Sequence, residues 1–126
     1  MILLTVEEII SIHSKLISKT GGLDGIRDIG LLESAVFSAN NSFNDIEQYP
    51  TIIEKSSRLA YAIVNNHAFL DGNKRIGILT MLMTLKLNGI EIQYAQKELI
   101  DLGLSIACDK TKYEDILFWI ENHIKK

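Results

Sequence analysis

The sequence predicts an all-α protein, a compact bundle of about six helices around one hydrophobic hairpin, and three observations carry that expectation. Apolar residues recur at helical spacing through most of the chain. A Thr is followed three residues later by Glu at Thr5 and Glu8, Thr51 and Glu54, and Thr111 and Glu114. Each pair can form a capping box, in which two side chains satisfy N–H groups that a helix start leaves open. No alternating pattern persists long enough to build a sheet. With 126 residues, the chain is read as one domain over 1–126, large enough to fold without disulfide or metal staples.

Behind Thr5, the residues Val6, Ile9, Ile10, Ile12, Leu16 and Ile17 mark one face of a helix to about Lys19, ended by Gly21-Gly22. The loop from Gly21 leads to Asp28 or Gly30 as a cap, and Leu31, Leu32, Ala35, Val36 and Ala39 form the inward face of a second helix. The polar stretch Asn40 to Pro50, which also carries Phe43 and Tyr49, reads as a surface loop or short flap. A third helix runs from Thr51 to about Asn66, with Ile52, Ile53, Leu59, Ala60, Ile63 and Val64 inward. Asp71-Gly72 then turns the chain. The fourth helix, Asn73 to Asn88, is apolar on most faces and is expected to be the buried central one, stopped at Asn88-Gly89. Ile90-Glu91-Ile92 reads as briefly extended. Ala95 to Cys108 and Thr111 to Lys125 give two more helices, with Ile116, Leu117, Trp119 and Ile120 packing the last one down. Met81 and Met83 are read as core filling, and Cys108 as a small core residue rather than a nucleophile.

The bulk numbers exclude several classes. A formal net charge of −3 argues against a direct nucleic-acid or anionic-membrane binder, which needs surplus Lys and Arg to displace counterions. The segment Met1 to Glu8 lacks the basic region and cleavage site of a signal peptide. The longest apolar run, Ile76 to Leu85, is too short to span a bilayer. A cytoplasmic location is therefore expected. Glu7-Glu8 and Lys110 to Lys112 read as solvated faces, and Lys125-Lys126 as a solvated tail.

Between the third and fourth helices lies His67-Ala68-Phe69-Leu70-Asp71-Gly72-Asn73-Lys74-Arg75. Lys74 and Arg75 fall in the first turn of a helix, where the macrodipole is positive and each cation costs roughly 0.3 to 1 kcal/mol. An anion on that helix start reverses the sign of the penalty, because free N–H groups and the dipole already favour negative charge. Lys74 and Arg75 are accordingly read as phosphate ligands. His67, at a helix end, fits either a general base or a residue that caps the helix or interacts with its C-terminal dipole. Asp71 fits either an N-cap or a hard oxygen ligand for Mg2+ that is shared with substrate phosphates. Gly72 is a turn former that also removes the Cβ which would keep a phosphate from the backbone. Phe69 is expected to point into the core and anchor the loop. A zinc site at His67 is not supported, since neither His13 nor His123 stands at the spacing of a zinc pair.

The stretch from His67 to Arg75 resembles the signature of the Fic/Doc superfamily, His-x-Phe-x-Asp/Glu-Gly-Asn-Gly/Lys-Arg, in its Doc form. Gly21-Gly22-Leu23-Asp24-Gly25, Asp28 and Leu31-Leu32-Glu33-Ser34-Ala35 extend the likeness to the death-on-curing toxins over most of the chain. The resemblance implies an all-helical Fic/Doc-like fold with His67 as general base, Asp71 as ligand of Mg2+ on ATP, Gly72 and Asn73 as an anion hole, and Lys74 and Arg75 clamping phosphates. Adenylylating Fic enzymes usually carry Gly where this chain has Lys74 and a second arginine where it has Ile78. The resemblance thus implies γ-phosphate transfer to a protein hydroxyl, with an AMP transferase and a non-catalytic nucleotide- or partner-binding bundle as alternatives. It further implies a toxin whose target is a threonine of the elongation factor that delivers aminoacyl-tRNA, with translation arrest as the result. Self-restraining relatives carry Ser/Thr-x-x-x-Glu-Gly/Asn; Glu121-Asn122 fits, but Leu117 stands at the hydroxyl position. An antitoxin partner, its disordered tail folding into an apolar groove, is implied instead.

Overall fold

The computed structural model describes residues 1–125. The chain runs through α1 (Val6–Thr20), α2 (Ile29–Ala39), the strands β1 (Ser42–Phe43) and β2 (Ile46–Glu47), α3 (Ile52–Asn66), α4 (Asn73–Leu87), α5 (Gln96–Ala107) and α6 (Tyr113–His123). Two of the three expected capping boxes form. Thr5 Oγ1 accepts from the Glu8 amide at 3.1 Å while Glu8 accepts from the Thr5 amide at 2.9 Å. Thr51 and Glu54 repeat this at 3.1 and 3.2 Å. The third does not form. The N-cap of α6 is Lys112, whose amide donates to Asp115 at 2.9 Å. Thr111 instead closes the end of α5, its amide donating to the Ser105 carbonyl at 3.2 Å and its hydroxyl meeting the Ser105 hydroxyl. Asp28 caps α2 through the amides of Gly30 and Leu31.

The core has two connected halves. One gathers Ile9, Leu32, Ala35, Leu59, Ile63, Phe69 and Ile76 from α1, α2, α3, α4 and the loop before α4. The other gathers Ala60, Val64, Met81, Leu85, Leu102, Ile106, Ile116 and Ile120 from α3 to α6. Both α3 and α4 feed both halves, so the central helix expected of α4 forms, with α3, the hydrophobic hairpin at the centre of the bundle. Their close crossing depends on Gly77: a Cβ there would lie 2.6 Å from Val64 Cγ2 and 3.3 Å from the Ala60 carbonyl oxygen. Cys108, expected in the core, is exposed. It is the C-cap of α5, where the chain leaves the packed face.

The stretch Asn40 to Pro50 is more ordered than a plain loop. β1 and β2 pair antiparallel, Ser42 with Glu47 and Phe43 with Ile46, around Asn44 and Asp45 at positive φ, as a tight hairpin requires. Phe43 and Ile46 are 75% and 72% exposed. The hairpin is tied down by Lys55, which is only 1% exposed and whose ammonium donates to the Ala39 carbonyl at 3.1 Å and meets the Glu47 carboxylate at 3.2 Å. After α4, Ile92 bridges Ile124, confirming the short extended piece. Lys125 is exposed and 3.6 Å from Glu91, while Lys126 lies outside the described residues. Among the described residues no helix is long and apolar enough to cross a membrane.

Candidate functional site

The segment from His67 to Gly72 joins the C-terminus of α3 to the N-terminus of α4, and its backbone is braced from several directions. Phe69 is buried as expected and forms an antiparallel bridge with Ile26. The Arg27 and Asp28 amides both donate to the Ala68 carbonyl, at 2.8 and 3.0 Å, and the Leu70 amide donates to the Gly25 carbonyl at 3.1 Å. Asn73 closes the segment on itself, accepting from the Phe69 amide at 3.1 Å and donating to the Phe69 carbonyl at 3.0 Å. Its side-chain amide is thus committed to shaping the loop.

His67 is the C-cap of α3 in the left-handed conformation, φ 53° and ψ 48°, with its side chain exposed. The Arg27 guanidinium reaches the same helix end, donating from Nε to the His67 carbonyl at 2.8 Å and from Nη2 to the Asn66 carbonyl at 3.4 Å.

Asp71 does not cap α4. The N-cap is Gly72, at φ 78°, and no side chain caps the helix. The Asp71 carboxylate accepts instead from the Leu23 amide at 3.2 Å and from the Gly72 amide at 2.7 Å. These two amides, the Leu23 bond foremost, hold the carboxyl below the usual carboxylate range against the opposing effect of partial desolvation, and Arg75 adds to them. Gly22 makes room for this contact, because a Cβ there would fall 2.5 Å from Asp71 Oδ2. The result is a half-exposed, ionised carboxylate with lone pairs to spare.

The first turn of α4 holds no acidic side chain, whereas α1, α3, α5 and α6 each carry one or more there. Its first intrahelical bond runs from the Ile76 amide to the Gly72 carbonyl at 2.9 Å, so the amides of Asn73, Lys74 and Arg75 are the open donors of a helix start. Arg75 donates from Nη1 to the Thr20 hydroxyl and to the Gly21 carbonyl at 2.8 Å, and its Nη2 lies 3.8 Å from Asp71 Oδ1. Lys74 is exposed, with no carboxylate partner among the described residues. Both cations border a groove of about 430 Å³ between α1, α4 and α5, whose other walls include Leu16, Ile78, Leu82, Leu99 and Leu104.

Neither Arg27 nor His13 was assigned to the site from the sequence. His13, buried on α1, donates from Nε2 to the Asp71 carbonyl at 2.7 Å and stacks on Phe69 with ring centroids 3.8 Å apart. A carbonyl only accepts, so Nε2 carries the proton. Nδ1 lies 3.7 Å from Asp24, which also accepts from the Ser14 hydroxyl at 2.6 Å. The available signal was His13 standing at helical spacing between the apolar Ile9 and Ile17, a buried position at which an imidazole needs a polar partner.

Among the described residues no three His, Cys, Asp or Glu side chains come together to hold a metal ion. A cation at Asp71 would need other ligands from a bound molecule.

The chain is similar to known proteins. The chain is 33% identical over 101 residues to "Protein kinase doc" of Escherichia phage P1, a match covering 80% of this chain and 79% of that protein. It is 33% identical over 72 residues to "Toxin Doc" of Mycolicibacterium smegmatis, covering 57% of this chain and 55% of that one. The sequence model of the Fic/DOC family matches residues 3–85, from just before α1 through most of α4 and including every loop and helix end just described. The chain belongs to the Fic/DOC family.

Proposed function

We propose that this protein is the toxin of a toxin-antitoxin module and that it phosphorylates a protein hydroxyl with Mg2+-ATP. The observation that carries the reading is the start of α4: a helix N-terminus with open amides, two cations and no acid, beside a carboxylate held ionised. That combination suits a polyphosphate carrying one divalent cation. A relative named as a protein kinase and another named as a toxin support the same direction.

In this reading His67, exposed at the end of α3, takes the proton from the target hydroxyl. The hydroxyl oxygen forms a bond to the γ-phosphorus as the bond from that phosphorus to the β,γ-bridging oxygen breaks, and ADP leaves. Bound Mg2+ would neutralise charge on the phosphates. Asp71 would hold that ion through its carboxylate, as is common for a cation whose remaining ligands are phosphates and water. Lys74 and the α4 amides hold the phosphate chain, and Arg75 fixes the Gly21 end of the neighbouring loop while facing Asp71. The target, by the Doc resemblance, is a threonine of the elongation factor that delivers aminoacyl-tRNA, and the groove beside Lys74 and Arg75 is where an antitoxin's apolar segment would dock.

Parallel incubation of a bacterial lysate with γ-labelled and α-labelled ATP tests the proposal. Label transferred to protein from the γ position alone is expected. Transfer from the α position makes the protein an AMP transferase, and transfer from neither makes it a non-catalytic binder.

A further inference from the structure

We infer that Arg27 is a positioning residue for His67, an inference that rests on the reading of His67 as the base. A non-glycine residue in the left-handed region is uncommon, and it holds only where its surroundings over-determine it. Left-handed helix ends usually close with amide bonds running back into the last turn. At α3 no such bond from the His67 amide is present among the described residues. The Arg27 guanidinium supplies the closure instead, donating to the carbonyls of both His67 and Asn66. A cation there also meets the negative end of the α3 dipole. The Arg27 side chain has no carboxylate partner among the described residues, so this helix end is where its charge is used.

The backbone of the same residue strengthens the case. The Arg27 amide donates to the Ala68 carbonyl, next to the Asp28 amide, and Ile26 bridges Phe69. Residues 66 to 70 are therefore gripped by one short loop: Asn66 and His67 by the guanidinium, Ala68 by two amides, and Leu70 by the Gly25 carbonyl. The loop also includes Leu23, whose amide holds the Asp71 carboxylate. It thus fixes His67 and Asp71 relative to each other without a loop side chain entering the chemistry. A base displaced by about 1 Å can lose on the order of 10²-fold in rate.

The test compares wild type with Arg27→Ala and Arg27→Lys, by steady-state transfer of γ-phosphate and by NMR of the histidine rings. Arg27→Ala is expected to lower kcat about ten- to a hundredfold with KM for ATP within about twofold, and to broaden the His67 ring signal while those of His13 and His123 stay sharp. Arg27→Lys should recover part of the loss, since one ammonium replaces a fork that spans two carbonyls. An unchanged kcat with an unchanged His67 signal overturns the inference. So does a uniform change at all three histidines, which would mark a general structural role. If wild type transfers no phosphate, the reading of the reaction fails, and the ring signals decide the positioning role alone. If the alanine variant does not fold, Arg27→Gln is read by the same two measurements.

Discussion

His67 carries its imidazole on a backbone turned out of the helix, and Asp71 and Lys74 follow within eight residues of chain, so the candidate chemistry is concentrated in one segment. His67→Ala is expected to abolish toxicity in cells and lower transfer by about 10²- to 10⁴-fold, with an unchanged circular-dichroism spectrum because the side chain is exposed. Full toxicity in a folded variant would remove His67 from the role of base. Lys74→Gly is expected to abolish phosphorylation or redirect the reaction toward nucleotide transfer, read with the two labelled forms of ATP; γ-transfer at the wild-type rate would show that Lys74 is not the selector. Asp71→Ala should weaken the Mg2+ dependence of ATP binding, measured as the added thermal shift when Mg2+ joins ATP. An undiminished shift would leave Asp71 as a loop brace. The gathering of these three residues at one helix start and the loop before it was legible in the sequence because they lie within eight positions of one another and because cations at a helix start are locally costly. His13 and Arg27 were not, because each acts on a residue about forty or more positions away and nothing local announces the contact.

The helices were legible wherever the signal was local. Thr51 with Glu54 and Thr5 with Glu8 became boxes as their spacing demands, whereas Thr111 with Glu114 has the same spacing and did not. The competing demand came from the end of α5, where the Ser105 carbonyl takes the Thr111 amide and the helix start shifts to Lys112. Thr51→Ala is accordingly expected to cost about 0.5 to 2 kcal/mol in urea denaturation, and Thr111→Ala clearly less; equal losses would contradict the assignment of the caps. The hairpin Ser42–Glu47 was read only as a loop or flap because two-residue strands leave no periodicity to detect. Its anchor was hidden for a different reason: a lysine is rarely interior. Lys55→Met should cost about 1 to 3 kcal/mol, since the Ala39 carbonyl loses its donor in a buried place, although Glu47 can turn to water. A variant as stable as wild type would mean that the hairpin is held by other contacts.

Across the whole molecule, α5 and α6 are joined by His123, which stacks on Trp119, donates from Nδ1 to the Trp119 carbonyl at 2.7 Å, and meets the Glu98 carboxylate through Nε2 at 2.6 Å. Burial pushes the imidazole down, but the Glu98 bond and the Trp119 carbonyl outweigh it and the net direction is upward. Glu98 moves downward, chiefly through the Ala95 amide and then through His123. The raised imidazole contributes stability below its ordinary value of 6.5 and loses it as pH rises through the higher folded value. The lowered carboxyl contributes above its ordinary value of 4.5 and loses it as pH falls through the lower folded value. The melting temperature should therefore fall as pH is raised from about 6.5 toward 8, and His123→Gln should flatten that slope; an equal slope in both proteins would show that the pair is not responsible. The six-helix plan itself was legible because most buried positions recur at helical spacing, while the close crossing of α3 and α4 depends on Gly77, whose effect appears only once the two helices cross. One surface feature has a practical use. The sole cysteine, Cys108, stands exposed at the C-cap of α5, the helix whose Leu99, Ile100 and Leu104 line the groove beside Lys74. A maleimide dye should attach there once per chain without any engineering, placing a fluorescent reporter on α5 at the end away from Ala95, so that occupancy of the groove can be followed as a change in emission in the unaltered protein.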